Sequence, residues 1–509
     1  MRYVFLFSFV MVWLLWRITL SAGELNSSFI SDYLVKLDES SSKDTLTIEE
    51  QNLIKDLKNK GAQIEFFNDL PWFRVILKKH SKNSINKLLK EINSNPVVNY
   101  VQPNYKIKLQ ENYQIQDPIL LNTIAAQMKA NPLFAKAMNE KIADNPNIPS
   151  IPIQRPGVDP KFTNQWGMKD IGVLEAHKIT KGSPDMIVAV IDTGVDYTHE
   201  DLVANIWKNN REMGLDTDGK DKSSNGIDDD GNGYIDDVIG WDFVQNDNKP
   251  FDLTTSIWEM IMGGGNPGHG THCAGNVAAH SDNSLGIIGV APNVRIMPLR
   301  FLSEKGEGST ADALKAIQYA IANGARVLSN SWGSEGEDSS EGQTNQALRD
   351  VITYAGTKGV LFIAAAGNGH NGVGYDNDAD AKPGYPASYD MENIISVAAI
   401  DLNNNLGSFS NWGKKSVDLA APGVRVYSTV PGNIYNDVVL DFMGTTVYWD
   451  GTSMAAPHVS GAAALYWSKY PNKSWSEVKN AILNSTQKIP SMNNKSVTGG
   501  KLNVSSLLI

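Results

Sequence analysis

The sequence predicts an α/β protein built on a doubly wound, mostly parallel β-sheet, with a smaller α+β unit before it. Three observations predict this: continuous apolar runs after residue 158, helical patterns between those runs, and a change of texture around residue 110. Strands covered on both faces are apolar throughout rather than alternating. The runs are MIVAVI (186–191), VRIMPL (294–299), ARVLSNS (325–331), VLFIAAAG (360–367) and IISVAAI (394–400).

The helical pattern is plainest between the second and third of these runs. Apolar residues recur at helical spacing in TADALKAIQYAIANG (310–324), with Ser309 as a candidate N-cap and Gly324 at its end. Strand, helix and strand in sequence imply right-handed crossovers. In such sheets functional groups lie at the carboxyl ends of the strands, so the search for a site begins there.

Residues 26–110 predict a separate small unit. Strand-like and helical segments follow one another in the order of a split βαβ arrangement, which predicts a ferredoxin-like sandwich. The segments are DYLVKL (32–37), IEEQNLIKDLKNKG (48–61), WFRVILK (72–78), SINKLLKEINS (84–94) and VVNYVQPNYKI (97–107).

The segments before and after this unit differ in composition. Residues 111–157 are polar and contain prolines, which indicates an exposed linker. Residues 1–22 begin with a charge, continue with a short apolar stretch and end in small residues, which is the layout of a signal peptide. An uncleaved membrane anchor is the alternative, although a span needs about 20 apolar residues and Arg17 interrupts this run earlier.

Composition excludes several classes of partner. The chain has 509 residues, 41% of them apolar, and a net charge of −11. This charge would be repelled by nucleic acids and by anionic membranes, so neither is expected as a partner, and we expect a monomer. Cys273 is the single cysteine, so no intrachain disulfide can form.

Four polar residues stand at strand ends or helix starts. They are Asp192 in VIDTG, His269 in GHGTHCAG, Asn368 in AAAGN and Ser453 in GTSMAAPHVSG. A serine attacks well only when a histidine removes its proton and a carboxylate fixes that histidine's tautomer. Each residue alone would serve equally well as a cap, a turn or a core residue, but the combination predicts nucleophilic catalysis.

These four segments closely resemble the signature motifs of the subtilisin family, and the resemblance covers roughly residues 158–505, the predicted catalytic domain being 158–509. The order Asp, His, Ser is also the order of that family. The resemblance implies a secreted serine endopeptidase in which Asp192 orients His269, the general base, and Ser453 is the nucleophile. Asn368 and the Ser453 backbone N–H would form the oxyanion hole. His272 matches the family's second, non-catalytic histidine.

The resemblance extends to the small unit. VVNYVQPNYKI (97–107) resembles the tail of subtilisin propeptides, which assist folding and then inhibit the enzyme after self-cleavage. Residues 26–110 would then be an inhibitory propeptide, and an unrelated accessory domain is the alternative. The 111–157 linker departs from the family pattern, which leaves the mature N-terminus open. The ending GGKLNVSSLLI resembles the usual close of the catalytic domain, so no further module is expected.

The family also implies a substrate pocket. Its walls would be Ser331, Trp332, Gly333, Ala365, Ala366 and Gly367, with Gly384 at the base. A glycine base leaves room for a bulky apolar side chain before the scissile bond, and Trp332 would narrow the neighbouring subsite. Ordinary core packing is the alternative for these residues.

Two oxygen-rich segments predict structural Ca²⁺. In NGIDDDGNGYIDD, five residues fall at positions 1, 3, 5, 7 and 9 of a calcium loop. They are Asp228, Asp230, Asn232, Tyr234 through its carbonyl, and Asp236. Position 12 is Ile239, so another ligand must close the site, and a merely solvated acidic loop is the alternative.

The second segment resembles the family's tight calcium site. By that resemblance the ligands would be Asp201, Asn283 and the carbonyls of Ser281, Leu285 and Ile287, and Asp159 would add a carboxylate. Hard oxygen ligands favour Ca²⁺ over transition metals.

Cys273 is expected to be a buried, inert thiol rather than a reactive one. The functional alternative is a catalytically silent, calcium-binding scaffold of the same fold. A lipase or esterase is disfavoured because its serine would lie in a G-x-S-x-G elbow.

Overall fold

The computed structural model describes residues 31–38, 41–67, 70–109, 118–132, 157–251, 268–336, 345–442 and 445–509. The chain divides into two compact units, one ending at Asn104 and one running from Tyr105 to Ile509. The predicted signal segment, residues 1–22, lies outside the described residues. Among the residues that are described, no helix is both long enough and apolar enough to cross a membrane.

The first unit is an antiparallel four-stranded sheet in the order β2-β3-β1-β4, with two helices. This is the ferredoxin-like arrangement that the sequence predicts. Its elements are β1 (Asp32–Lys36), α1 (Ile48–Asn59), β2 (Gln63–Phe66), β3 (Trp72–Ile76), α2 (Lys82–Asn93) and β4 (Tyr100–Pro103).

Local sequence signals explain where the elements of this unit begin. Thr47 and Glu50 form a capping box at the start of α1, and Ser81 caps α2. The core between the helices and the sheet includes Val35, Phe73 and Ile85, all fully buried. The sequence analysis missed β2, since its QIEF segment is short, has no fully buried residue and lacks a run of β-branched residues.

The second unit is dominated by a nine-stranded sheet in the order β20-β21-β15-β14-β12-β10-β6-β8-β7, in which only the β20–β21 pair is antiparallel. These strands are β6 (Ile187–Asp192), β7 (Trp241–Asp242), β8 (Arg295–Arg300), β10 (Val327–Asn330), β12 (Leu361–Ala365), β14 (Ile394–Ile400), β15 (Leu419–Pro422), β20 (Gln487–Lys488) and β21 (Gly500–Lys501).

Four two-stranded ribbons accompany this sheet. They pair β5 (Lys106–Lys108) with β9 (Glu307–Ser309), β11 (Ser334–Glu335) with β13 (Gly384–Tyr385), β16 (Ser428–Val430) with β17 (Ile434–Asn436), and β18 (Val438–Phe442) with β19 (Thr445–Tyr448).

Nine helices of the second unit fall within the described residues. They are α3 (Pro118–Ala130), α4 (Trp166–Asp170), α5 (Val173–His177), α6 (His269–Ala278), α7 (Thr310–Ala322), α8 (Gln346–Thr357), α9 (Thr452–Lys469), α10 (Trp475–Asn484) and α11 (Val504–Leu508). Part of the segment expected to be an extended linker is therefore helical, because α3 begins with proline and continues with good helix formers.

The predicted α/β architecture is confirmed in the second unit. All five apolar runs form strands of the large sheet, and Ser309 caps α7 by accepting a hydrogen bond from the Asp312 N–H. Helix α9 is almost entirely buried and packs against β10, β12, β14 and α6. The parallel neighbours β8 and β10 lie on either side of β6. The carboxyl ends of β6, β10 and β12 therefore share one edge, where Asp192, Ser331 and Asn368 stand.

Candidate active site

Asp192 and His269 form the centre of the site. Asp192 is the last residue of β6, His269 is the first residue of α6, and both side chains are fully buried. The Nδ1 of His269 lies 2.7 Å from the Oδ1 of Asp192. The same oxygen accepts a 2.7 Å hydrogen bond from the Thr193 N–H. The carboxylate can therefore hold the imidazole in the tautomer that leaves Nε2 free to take a proton.

Close backbone approach fixes the position of His269. The Gly270 N–H donates to the Thr193 hydroxyl at 3.1 Å. A Cβ at Gly270 would stand 2.2 Å from the Gly194 carbonyl oxygen, so only glycine fits here. The Gly-rich sequence around His269 thus lets the start of α6 lie directly against the loop after β6.

Ser453 stands in the first turn of α9 and is buried. Its hydroxyl donates to the Ser331 carbonyl at 3.0 Å. The Cys273 thiol donates to the Ser453 carbonyl at 3.5 Å, and its sulfur lies 3.9 Å from the His269 Nδ1. The Cys273 side chain on α6 therefore contacts both the His269 ring and the backbone of Ser453.

Asn368 is oriented for the role of oxyanion donor. Its Oδ1 accepts from the Thr452 N–H and from the Thr452 hydroxyl, both at 2.9 Å. Since the amide is planar, its Nδ2 faces away from Thr452. The N–H groups of the first turn of α9 have no partner within the helix. The assignment of Asn368 and the Ser453 N–H to the oxyanion hole stays a prediction.

The second histidine of the motif has a packing role. The His272 Nε2 donates to the Val426 carbonyl at 2.9 Å, and the ring stacks on Trp449 at 4.4 Å between ring centroids. Burial lowers the pKa of His272 to about 3. Burial likewise raises the pKa of the Cys273 thiol, which favours its neutral form, and its lack of reactivity stays a prediction.

The expected pocket residues divide into two groups. Gly384 lies in β13, and a Cβ there would stand 2.7 Å from the Ala366 carbonyl oxygen, so a pocket base at this point requires glycine. The Trp332 ring, in contrast, is 1% exposed, packs against Phe301 and Phe362, and donates to the Ile191 carbonyl at 2.9 Å. Trp332 therefore contributes its backbone to the cleft while its ring belongs to the core, which corrects the expectation that the ring narrows a subsite.

An extended segment already lies in this cleft. Strand β5 pairs antiparallel with β9, with Ile107 opposite Gly308. The Gly333 N–H donates to the Lys108 carbonyl at 3.3 Å, and the Leu109 N–H donates to the Gly306 carbonyl at 2.8 Å. Residues of the second unit thus hold a peptide from both sides by its backbone, which is a sequence-tolerant way to bind a polypeptide.

The expected tight calcium site is assembled around two buried carboxylates. Asp201 accepts from the Asn283 side chain at 2.7 Å and from the Ile287 N–H at 2.9 Å. Asp159 accepts from the N–H groups of Asp282 and Asn283. Burial raises the pKa of Asp201 to about 7 and that of Asp159 to about 6. Buried carboxylates of this kind are the hard oxygen ligands that a calcium site uses.

The expected calcium loop is a compact turn. Asp228 accepts from the N–H groups of Gly231, Asn232 and Gly233. Asp236 accepts from the Gly226 N–H instead. A carboxylate from outside the loop, that of Glu212, lies within 4.8 Å of the ligand atoms of Asp228 and Asp230. The sequence analysis did not name Glu212, because nothing in its local sequence connects it with the loop.

The comparisons with known proteins agree with this fold. A model described as the subtilase family matches residues 183–503. Thermitase of Thermoactinomyces vulgaris is 36% identical over 332 residues, which cover 65% of this chain and 91% of that protein. The thermophilic serine proteinase of Bacillus sp. strain AK1 is also 36% identical, over 325 residues, and the match spans 64% of this chain but 62% of that protein. The chain therefore belongs to the subtilase family of subtilisin-like serine endopeptidases.

One solved structure shares the fold. Fervidolysin from Fervidobacterium pennivorans, described as a keratinolytic enzyme related to subtilisin, aligns with a TM-score of 0.62. The alignment covers 95% of this chain and 62% of that one, at 24% sequence identity. At this identity the likeness concerns the fold alone.

We expect Asn368→Ala to lower kcat by about 10²–10³-fold with little change in KM, because an oxyanion donor acts mainly on the transition state. Steady-state kinetics on a peptide substrate would measure both constants. Asn371→Gly is a matched control, since Asn371 is exposed in the same loop and has a φ of 52°, which glycine adopts without strain. A loss confined to KM would instead make Asn368 a substrate-binding residue.

Proposed function

We propose that this protein is a secreted serine endopeptidase, made as a self-processing zymogen, that hydrolyses protein substrates through an acyl-enzyme. The observation that carries the proposal is the extended segment 106–109, held by backbone hydrogen bonds beside the carbonyl that contacts Ser453. A cleft that binds a peptide by its backbone, next to a Ser-His-Asp arrangement, suits the cleavage of polypeptides.

The chemistry follows from the positions of the four residues. His269 would take the Ser453 proton as Oγ bonds to the substrate carbonyl carbon, and Asp192 would stabilise the imidazolium that forms. The oxyanion would accept hydrogen bonds from Asn368 and from the Ser453 N–H. His269 would then give its proton to the leaving amine as the C–N bond breaks, and water would release the acyl group by the same steps in reverse.

Export and self-processing rest on different support. The layout of residues 1–22 supports export. The antiparallel pairing of β5 with β9 supports an inhibitory role for residues 26–110, because β5 occupies a strand position that a substrate would use. The Gly384 base supports a preference for large side chains before the scissile bond. The alternative, a catalytically silent scaffold, has no support in a site where all four residues are present and oriented.

We expect Ser453→Ala to lower turnover by about 10⁶-fold, the size of the loss in subtilisin itself. Casein would be the protein substrate, and a serine-directed fluorophosphonate would be the reagent that labels the nucleophile. The purified parent chain would be the positive control. The same variant should stay unprocessed. A parent chain that neither cleaves casein nor takes up the fluorophosphonate would favour the silent scaffold, and maturation of the variant in isolation would remove Ser453 from the mechanism.

The strand register predicts the first cut. Lys108 is paired antiparallel with Gly333, and if the same register continued for two more residues, position 110 would fall opposite Ser331. Since the Ser331 carbonyl contacts the Ser453 hydroxyl, we expect cleavage between Gln110 and Glu111. N-terminal sequencing of the first product would test this, and a first cut beyond residue 157 would contradict it.

A pair of tail variants tests whether β5 is a built-in inhibitor. Ile107 is 3% exposed, whereas Lys106 is exposed. Ile107→Ser should slow processing and weaken inhibition by the isolated product, because it removes buried apolar contact from the cleft. Lys106→Ser is the matched control and should change neither. If neither variant changed processing or inhibition, the tail would be held by its backbone alone.

We also propose a structural calcium ion at the Asp201 site. In the inactive Ser453→Ala chain, EGTA should lower the Tm. Adding Asp201→Asn should remove the part of this decrease that comes from calcium at the Asp201 site. At free calcium about 100 times the dissociation constant, one site would add about 2.7 kcal/mol to the free energy of unfolding. Calorimetry measures the shift without interference from self-digestion. A Tm unaffected by EGTA, with no calcium in elemental analysis, would refute the site.

A further inference from the structure

The side chains of strand β5 face two different surroundings. Ile107 is buried, whereas Lys106 and Lys108 are exposed. Successive side chains of a strand point to opposite faces, so the two lysines share the outward face. Backbone hydrogen bonds hold such a strand whatever its sequence. An outward side chain can still be selected if the second unit places a charged partner beside it.

Strand β9 places an acid opposite one of these two lysines. Glu307 stands opposite Lys108 in the register, and its Oε1 lies 3.0 Å from the Lys108 Nζ. Ser309 stands opposite Lys106, and its hydroxyl donates to the Asp312 carboxylate at 2.6 Å. The ion pair with β9 is therefore specific to the position of Lys108.

The backbone around Glu307 fixes where its carboxylate stands. The Glu307 N–H donates to the Ser303 hydroxyl at 3.3 Å, and the Ser303 N–H donates to the Glu307 carbonyl at 2.9 Å. Glycines lie on both sides of Glu307 in the chain. A Cβ at Gly308 would stand 2.5 Å from the Phe301 carbonyl oxygen, so this position requires glycine. Glu307 is thus a long charged side chain on a short, firmly held strand.

The charges around Glu307 favour a cationic partner. The hydrogen bond from Lys108 holds the pKa of Glu307 below its ordinary value, and the positive charges of Lys106 and Lys305 act in the same direction. The chain carries a net charge of −11, which attracts basic polypeptides more generally. Because the Glu307 side chain is 46% exposed, solvent screens the pair and its contribution to binding is small.

We propose that Glu307 is a specificity-determining residue that favours polypeptides with lysine or arginine at the position that Lys108 occupies. A bound substrate would pair with β9 in the register of β5, and its basic side chain would donate to the Glu307 carboxylate. A neutral residue there would lose this hydrogen bond, and an acidic one would be repelled. The inference rests on the proposed function, since it takes β5 as a guide to how a substrate lies in the cleft.

Three peptides that differ at one position test the proposal. They carry the sequence of residues 104–113, with lysine, glutamine or glutamate at position 108. The purified protein, in the state in which it cleaves casein, should cleave the lysine peptide with a kcat/KM about two- to five-fold above that of the glutamine peptide. The glutamate peptide should be poorer still. The difference should lie in KM, because the ion pair does not touch the reacting atoms.

Substitutions of Glu307 show whether its charge causes the preference. Glu307→Gln keeps the shape of the side chain and should abolish the preference for lysine over glutamine. Glu307→Lys should reverse the order of the three peptides, which a merely structural role of Glu307 would not do. Glu304→Gln is the matched control, since Glu304 lies in the same turn but pairs with Arg300 at 3.4 Å. It should keep the preference of the parent.

Salt provides a second readout. In about 1 M NaCl the Debye length is only about 3 Å, so the preference for lysine should shrink. A peptide with serine at position 107 is the control, because the loss of apolar contact there does not depend on charge. Its disadvantage should persist in the same salt.

Two results would overturn the inference while leaving the proposed function intact. In one, the parent cleaves casein but has the same KM for all three peptides, which would mean that the outward side chain is not selected. In the other, Glu307→Lys keeps the preference for lysine, which would mean that another group selects it. A protein that cleaves neither casein nor any of the peptides would instead refute the proposed function, and the inference with it.

Discussion

The buried hydrogen bond between Asp192 and His269 is the interaction on which the rest of the site depends. Both side chains are withdrawn from solvent, and the two atoms are 2.7 Å apart. Burying ionisable groups is costly unless partners hold them in a good geometry. The end of β6 supplies that geometry, because Asp192 is held there by the Thr193 N–H while β8 and β10 fix the strand on both sides. With the imidazole fixed, the active site also requires that the Ser453 hydroxyl lie near it without displacing it.

Small residues in α6 and α9 allow the close packing that this requires. Helices α6 and α9 pack against each other and against the sheet, and their sequences are rich in glycine and alanine. A Cβ at Gly275 would stand 2.2 Å from the Thr429 hydroxyl, and one at Gly461 would stand 2.7 Å from the Val290 Cβ. A larger side chain at Gly275 would push α6 away from β16, and one at Gly461 would push α9 away from Val290. The composition of the two motifs is therefore a packing requirement of the catalytic geometry, as well as a signature of the family.

The sequence predicted most of the fold because the relevant signals are local. Continuous apolar runs identify buried parallel strands, and a Ser309 cap identifies the start of α7. The positions of Asp192, His269 and Ser453 were predictable because each lies in a distinctive motif, the first at the end of β6 and the other two at the starts of α6 and α9. Strand β2 was missed because its short segment has no apolar run, and α3 was missed because the polar texture around it suggested an extended linker. The core position of the Trp332 ring and the approach of Glu212 to Asp228 depend on tertiary contacts. Neither position has a local signal that sequence reasoning could have used.

The two oxygen-rich clusters lie where the packing of the large sheet stops. Between β6 and α6 the chain passes through a long irregular region, in which the described residues form only short turns and the two-residue strand β7. Within it, residues 213–235 bury few apolar side chains, since Met213, Leu215, Ile227 and Ile235 are exposed, and such a stretch opens locally at low cost. Asp201 lies near the start of this region, and Glu212 lies further along it. Cations bound at these two residues would therefore join turns that are not packed in the core. Asp192 and His269 stand at the two ends of the same region. Cations that restrain it would therefore also limit how far the two catalytic residues can separate when the region opens, without adding any contact to the active site.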